Sequence, residues 1–135
     1  MTKVLVVEDD PFMSFGLTDE IEAAGHPVLG PAPSTGAALM QARLEKPAMA
    51  LIDLDLKHVH DSLELVRMLR AMDIPSIVIS HAEEKLLCAR DVAMGSALKP
   101  FSMAEVPAAI DVLTLMIKGG QRPLGLLPLS MQLFD

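Results

Sequence analysis

The sequence predicts an α/β fold in which five parallel strands form a doubly wound sheet with helices on both faces. Three observations lead to this class. Short apolar runs alternate with longer segments of helical periodicity. Most of these runs are apolar throughout, as is typical of strands that are buried on both faces. Polar residues gather where the runs end, which is the edge at which such sheets bind ligands.

A strand and a helix open the chain. The apolar run Val4–Val7 predicts a buried strand that ends at the carboxylates Glu8 and Asp9. Pro11 suits the first turn of a helix, because its missing N–H needs no partner there. Gly25 is placed to end that helix. Its apolar residues recur at helical spacing: Met13, Leu17, Ile21 and Ala24.

A second strand and helix follow with weaker signals. The strand is predicted over residues 28–30, and Ser34 is placed to cap the helix after it. Pro47 closes the helix, because proline cannot continue a helical hydrogen-bond ladder. The periodic apolar residues of this helix are Ala37, Met40 and Leu44.

Two further strands end in side chains that can carry chemistry. Residues 49–52 predict a third buried strand that ends at Asp53, and residues 74–79 predict a fourth that ends at Ser80. A loop through Asp61 follows the third strand. The helix that joins this loop to the fourth strand carries Leu65, Val66 and Leu69.

The last predicted units are a helix, a strand and a helix. The first helix runs from about residue 83 to 93, and a weak fifth strand near 97–98 is followed by Lys99. Ser102 and Glu105 have the spacing of a capping box that opens the final helix, but Pro107 falls slightly too deep for that start, so a start a few residues later is the alternative. Its apolar face contains Val106, Ile110, Leu113 and Ile117.

The composition narrows the classes of function. A formal net charge of -7 and a pI of about 4.9 argue against nucleic-acid binding, which relies on Lys and Arg to neutralise phosphates. No apolar run approaches the roughly 20 residues of a membrane-spanning helix. Cys88 is the only cysteine, so no internal disulfide can form, in keeping with a reducing compartment. We therefore expect a cytoplasmic protein with no nucleic-acid or membrane partner.

The polar strand ends predict a cation site that handles phosphate. Two unit charges about 4 Å apart repel by about 4 kcal/mol at an effective dielectric of about 20. The carboxylates of Glu8, Asp9 and Asp53 must therefore raise a pKa or recruit a cation. Mg²⁺ suits them because it prefers oxygen ligands, retained waters and a substrate phosphate. A carboxylate beside that ion can attack phosphorus, while Lys99 and Ser80 hold the other phosphoryl oxygens.

Four segments give the chain a resemblance to the receiver domain of two-component response regulators. They are VLVVEDDP (4–11), LIDLDL (51–56), IVIS (77–80) and LKPF (98–101). Each segment alone is common, but all four at family-like spacing are specific. The resemblance covers residues 1–118 and implies a flavodoxin-like fold, in keeping with the predicted order of strands and helices.

The resemblance also implies a metal site and a phosphoryl acceptor. Asp53 corresponds to the acceptor, Asp9 to a direct Mg²⁺ ligand and Glu8 to a ligand through water. The backbone carbonyl of Asp55 corresponds to a further metal contact. A histidine kinase or histidine phosphotransfer protein is implied as the donor, with output through protein–protein contact. Self-phosphorylation and autodephosphorylation are then the only reactions, so the chain is not expected to be an enzyme.

Two further residues have family counterparts, and three depart from the usual pattern. Ser80 takes the place of the switch hydroxyl, and Lys99 that of the lysine that pairs with phosphate. Ser96 stands where the family usually has an aromatic ring, and His81 where it usually has a small residue. Asp55 adds a negative side chain two residues after the acceptor. These departures leave acceptor chemistry as the expectation, but they predict altered output and phosphoryl lifetime.

The C-terminal tail, residues 119–135, is treated apart from the receiver domain at 1–118. Gly119 and Gly120 interrupt the last helix, and the tail is too short for a separate output domain. We expect it to fold back on its own domain, or, with the last helix, to bind a partner or a second copy of the chain. Its apolar residues are Leu124, Leu126, Leu127, Leu129, Met131, Leu133 and Phe134.

Two other functions compete with phosphoryl acceptance. Asp53 and Asp55 imitate the D-x-D pair of haloacid-dehalogenase-like phosphatases, but in those enzymes the acidic pair comes last, whereas here it precedes the D-x-D. A receiver-like pseudo-domain that binds partners without phosphorylation is the other alternative, and it draws on His81 and Ser96. His58 and His60 lack an evident third metal ligand, so we expect surface histidines.

Overall fold

The central sheet is built from short strands that are mostly apolar. The computed structural model describes residues 2–56, 62–120 and 127–134, and the bounds given below refer to these ranges. His58, His60 and part of the tail lie outside them. The described strands are β1 (Val4–Val7), β2 (Val28–Ala32), β3 (Met49–Asp53), β4 (Ser76–Ser80), β5 (Gly95–Leu98) and β6 (Gln132–Leu133).

The strand order confirms the predicted doubly wound fold. Over the described residues the order is β2-β1-β3-β4-β5-β6, and the first five strands pair in parallel. Parallel strands need crossover connections, which the helices supply. The sixth strand was not predicted. It comes from the tail and pairs antiparallel with β5, with Gly95 opposite Leu133 and Ser96 opposite Gln132.

Five α-helices connect the strands in the described ranges, and two differ from prediction. The fourth ends at Cys88 rather than near residue 93, because the chain then turns and buries Ala89 and Ala93. The last lacks the predicted capping box, because Ser102 forms no side-chain capping hydrogen bond, and it begins at Val106 after a single 3-10 turn, which agrees with the later start that Pro107 indicated. The helices are α1 (Pro11–Ala23), α2 (Thr35–Glu45), α3 (Ser62–Ala71), α4 (Glu83–Cys88) and α5 (Val106–Ile117).

The core has two layers, one on each face of the sheet. Side chains of α2, α3 and α4 pack on one face, and those of α1 and α5 pack on the other. The apolar face expected for α2 is wrong. Met40 and Leu44 are 64% and 77% exposed, whereas Ala38 and Ala42 are fully buried, because their small side chains let the helix approach the sheet closely. None of the described helices has the length and apolarity needed to cross a lipid bilayer.

The described part of the tail packs against β5 and α5. Leu129 and Met131 are buried in the layer that contains α1 and α5. Gly95 allows the approach of β6, because a Cβ there would lie 3.0 Å from the backbone oxygen of Gln132. Ser96 is buried and lies opposite Gln132 of this strand. Small residues on β5 therefore accommodate the tail.

Candidate functional site

The carboxyl ends of four parallel strands bring the predicted polar residues to one edge of the sheet. Glu8 follows β1, Asp53 ends β3, Ser80 ends β4 and Lys99 follows β5. Backbone hydrogen bonds tie these ends together: the N–H of Leu54 donates to the oxygen of Ile79 at 2.8 Å, and that of Lys99 donates to the oxygen of Ser80 at 2.8 Å. The strand register therefore fixes where each side chain begins.

Lys99 forms a buried ion pair with Asp53. Its Nζ donates to Oδ2 of Asp53 at 2.7 Å, and both side chains are at least nine-tenths buried. Burial alone would lower the pKa of Lys99, but the hydrogen bond and the negative charge of Asp53 outweigh it and raise that pKa. The backbone N–H of Asp55 donates to Oδ1 of Asp53 at 2.7 Å. Both oxygens of the predicted acceptor are thus held by donors.

Glu8 lies in the same pocket and is almost fully buried. The N–H of Asp9 donates to its Oε2 at 3.0 Å, while Oε1 is buried and has no hydrogen-bond partner among the described residues. Burial raises the pKa of Glu8 to about 8, and the adjacent carboxylate of Asp53 contributes in the same direction. Asp9 is half-buried next to it. This part of the pocket is rich in oxygen and short of positive charge.

The carboxylate oxygens of this pocket are suitable ligands for a Mg²⁺ ion that keeps part of its water shell. In the described ranges, no three Asp, Glu, His or Cys side chains form a ready-made metal cage. Mg²⁺ does not need one, because it is usually bound by one or two carboxylates together with waters and a phosphate. The carboxylate oxygens of Asp53 accept hydrogen bonds from the Asp55 N–H and from Lys99 Nζ, and a carboxylate oxygen has more than one lone pair with which to accept or to bind a metal. The unpartnered Oε1 of Glu8 is a further acceptor for a bound water.

The side chain of Asp55 makes contacts that the sequence did not reveal. Its backbone carbonyl was predicted as a metal contact and its negative side chain was predicted to alter phosphoryl lifetime, but the partners of that side chain were not predicted. In the structure its Oδ1 accepts from the Ser80 hydroxyl at 2.7 Å and from Lys85 Nζ at 3.1 Å. Its Oδ2 accepts from the His81 N–H at 2.8 Å and from Lys99 Nζ at 3.5 Å. The hydroxyl expected to face a phosphoryl group thus already binds a carboxylate.

These contacts determine the protonation of Asp55. Burial alone would raise its pKa, but the hydrogen bonds from His81, Ser80 and Lys85, together with the charge of Lys99, hold that pKa well below its usual range. The His81 ring is exposed, with Nδ1 3.2 Å from Oδ2 of Asp55. Asp55 is therefore a stable anion at neutral pH.

The chain is similar to proteins of one family. The response regulator receiver domain family matches residues 4–111. The phyllosphere-induced regulator PhyR of Methylorubrum extorquens is 30% identical over 113 residues, which are 82% of this chain and 42% of that protein. The transcriptional regulatory protein PdtaR of Mycobacterium tuberculosis is 26% identical over 114 residues, which are 82% of this chain and 55% of that protein. The chain spans about half the length of these relatives.

Solved structures have the same fold. A signal receiver domain of a modulated diguanylate cyclase from Desulfovibrio desulfuricans G20 has a TM-score of 0.78 at 27% identity, covering 87% of this chain and 97% of that chain. PhyR from Brucella abortus has a TM-score of 0.68 at 30% identity, and the match covers 78% of this chain and 44% of that chain. The receiver domain of Francisella response regulator 1452 has a TM-score of 0.72 at 23% identity, covering 84% and 96%, a likeness of fold alone.

Proposed function

Because this chain belongs to the response regulator receiver domain family, we propose that it is a phosphoacceptor module in which Asp53 receives a phosphoryl group with the help of Mg²⁺. Receiver domains are signalling modules of two-component systems, and their partners are kinases or phosphotransfer proteins. The finer assignment for this chain is a histidine kinase or histidine phosphotransfer protein as donor. Self-phosphorylation and autodephosphorylation are the only reactions we assign to it.

The observation that carries the proposal is the buried pair between Lys99 Nζ and Asp53 Oδ2, at 2.7 Å. An Asp53 oxygen forms the new bond to phosphorus as the bond from phosphorus to the leaving group of the donor breaks. Negative charge spreads over the three other phosphoryl oxygens during this transfer. The Lys99 ammonium is held beside the nucleophile before the reaction, so it can stabilise that charge without reorganising.

The metal would be held by oxygen atoms at the same edge of the sheet. Asp9, Asp53 and the backbone carbonyl of Asp55 are the proposed direct ligands, with Glu8 acting through water. When bound, Mg²⁺ neutralises charge on the phosphoryl oxygens. Its charge also favours the ionised form of Glu8, whose pKa is about 8 without it.

Phosphorylation of Asp53 can be tested with small donors. The chain is incubated with acetyl phosphate and Mg²⁺, and intact mass is measured for the addition of one phosphoryl group. We expect modification of the wild type and none of Asp53→Asn, which keeps the shape of the side chain but lacks the nucleophilic oxygen pair. Chelation of Mg²⁺ should abolish the reaction. An unmodified wild type, or equal modification of Asp53→Asn, would reject Asp53 as the acceptor.

A pseudo-domain that binds partners without phosphorylation is the second candidate. Two features favour it. The Ser80 hydroxyl already donates to the Asp55 side chain, and Ser96 stands where the family usually has an aromatic ring. Partner binding that is unchanged by Asp53→Asn and by acetyl phosphate would support it. For the phosphatase alternative, we expect no turnover of a generic phosphate ester, because the order of the acidic motifs does not match that of those enzymes.

Output is proposed to occur through protein–protein contact. The last helix and the tail are the proposed surface for a partner or a second copy of the chain. The described tail residues pack on α5 and pair with β5, so a change in either element would reach them directly.

A further inference from the structure

Hydrogen-bond donors at the ends of β4 and β5 converge on the carboxylate of Asp55, and one of them, Lys99 Nζ, also pairs with the acceptor Asp53 at 2.7 Å. The donors are the Ser80 hydroxyl at 2.7 Å, the His81 backbone N–H at 2.8 Å and Lys99 Nζ at 3.5 Å. Lys85 Nζ adds a fourth contact from α4 at 3.1 Å. Donors from three separate elements thus converge on the same anion.

The same donors are the ones that a phosphoryl group on Asp53 would require. Lys99 Nζ contacts Oδ2 of both Asp53 and Asp55, so the two carboxylates lie side by side. A phosphoryl group bound to Asp53 would therefore extend into the space next to it, where the Asp55 carboxylate lies. Its three free oxygens carry negative charge and need donors there. Two anions cannot use one set of donors without strong repulsion.

We propose that the Asp55 carboxylate occupies the subsite for phosphoryl oxygens in the unphosphorylated chain and competes with the phosphoryl group for Ser80, His81 and Lys99. The inference rests on the proposed function of Asp53. It assigns to Asp55 a specific effect: the chain must move this side chain away before it can hold a phosphoryl group. The Asp55 side chain is 20% exposed, so it borders solvent and has a direction in which to move.

The Ser80 hydroxyl already has hydrogen-bond partners before phosphorylation. In this structure the Ser80 hydroxyl is fully buried, donates to Asp55 and accepts from the N–H of Ala82 at 3.0 Å. Ser80 is therefore already drawn toward the site by an internal anion. Phosphorylation exchanges one anion for another at this residue, instead of recruiting a free hydroxyl. Asp55 is a positioning residue for Ser80 in the resting chain and a competitor during phosphoryl transfer.

Beryllofluoride, a mimic of the phosphoryl group, can measure the competition. Its apparent Kd is determined at saturating Mg²⁺ for the wild type, Asp55→Ala and Asp55→Asn. We expect Asp55→Ala to bind about tenfold more tightly, which corresponds to about 1.4 kcal/mol. Asp55→Asn keeps one acceptor oxygen and should gain less. Glu84→Gln is the matched control, because it removes one exposed negative charge from the first turn of α4 and should change the Kd little.

The amide resonance of His81 is a second readout, and it reports on the site before beryllofluoride is added. The His81 amide proton donates to a carboxylate in the wild type, so its resonance in nuclear magnetic resonance spectra should lie downfield. We expect it to move upfield in Asp55→Ala without beryllofluoride and to return when beryllofluoride is added. A role of Asp55 in folding alone would lower thermal stability without tightening beryllofluoride binding.

The outcomes separate this inference from the proposed function. Equal or weaker beryllofluoride binding by both Asp55 variants, with normal binding by the wild type, overturns the inference and leaves the proposed function standing. An equal gain by Glu84→Gln also overturns it, because a general charge effect would then explain the change. Failure of every variant to bind overturns the inference together with the proposed function. Tighter binding by Asp55→Ala with a restored His81 resonance supports the inference.

Discussion

The buried carboxyl of Glu8 should make the stability of the protein fall as pH rises. The pKa of Glu8 is about 8 in the folded chain, compared with an ordinary value of 4.5. Between these values the folded state keeps a proton that the unfolded state has lost, so stability decreases with pH in this window. The stabilisation is complete below pH 4.5 and absent above pH 8. Glu8→Gln should remove this dependence, because an amide does not titrate.

The size of the effect follows from the same two values. At 1.36 kcal/mol per pKa unit, the difference between 4.5 and about 8 sets an upper limit of about 5 kcal/mol. Relaxation of the protein and entry of water reduce such burial penalties. We therefore expect the free energy of unfolding of the wild type to fall by about 2–3 kcal/mol more than that of Glu8→Gln between pH 4.5 and about 8.

Urea unfolding without Mg²⁺, at pH steps from about 5 to about 9, measures the free energy of unfolding of both proteins. Adding Mg²⁺ should stabilise the wild type more at high pH than at low pH, because the ion competes with the proton of Glu8. The reasoning is refuted if the wild type and Glu8→Gln lose stability in parallel over the whole range.

Three further predictions concern Lys99, Asp55 and Gly95. Lys99→Met should slow phosphorylation by acetyl phosphate about a hundredfold, because it removes the preorganised cation; a rate equal to wild type, measured by intact mass, would contradict this. The pKa of Asp55 is lower in the folded chain than its ordinary value of 3.8, so Asp55 stabilises the fold above pH 3.8 and this stabilisation is lost as the pH falls below that value. In acid unfolding, the free energy of unfolding of Asp55→Asn should therefore fall less than that of the wild type. Gly95→Val should displace β6, because a side chain at this position would meet the backbone oxygen of Gln132. Hydrogen exchange at the Phe134 amide, which donates to the Met94 oxygen, should then accelerate. Gly36→Ala is the control, because a Cβ at Gly36 meets no atom within 4 Å.

The sheet and the main pocket could be predicted because they depend on residue type and order. Apolar runs bounded by carboxylates specify buried parallel strands, and parallel strands bring their carboxyl ends to one edge. This logic led to Glu8, Asp53, Ser80 and Lys99, and the structure gathers all four at that edge. It needs no knowledge of side-chain rotamers, and this is why it succeeds.

The contacts of Asp55 could not be predicted in the same way. Its position two residues after Asp53 was visible, but its partners depend on the path of the turn after β3 and on the direction of its side chain. The buried side of α2 was mistaken for a related reason: spacing ranked Met40 and Leu44 as core, whereas the short distance between helix and sheet selects Ala38 and Ala42.

The sixth strand had a signal that went unused. Gly95 and Ser96 are unusually small for a buried strand, and the tail contains alternating apolar residues after 127. Together they indicate a strand with room for a neighbour and a segment able to be that neighbour. Pairing of segments so distant in sequence is decided by their register, which the sequence alone does not specify.

The strand supplied by the tail pairs with Gly95 and Ser96 on what would otherwise be the open edge of the sheet. Without it, β5 would present a row of unpaired backbone N–H and C=O groups to solvent, which is a template for pairing with another chain. A version truncated before residue 127 would also uncover the apolar surface beneath Leu129 and Met131. Shortened forms of this protein should therefore be prone to aggregate by edge-to-edge association, and purification tags are better placed at the N-terminus, away from this edge.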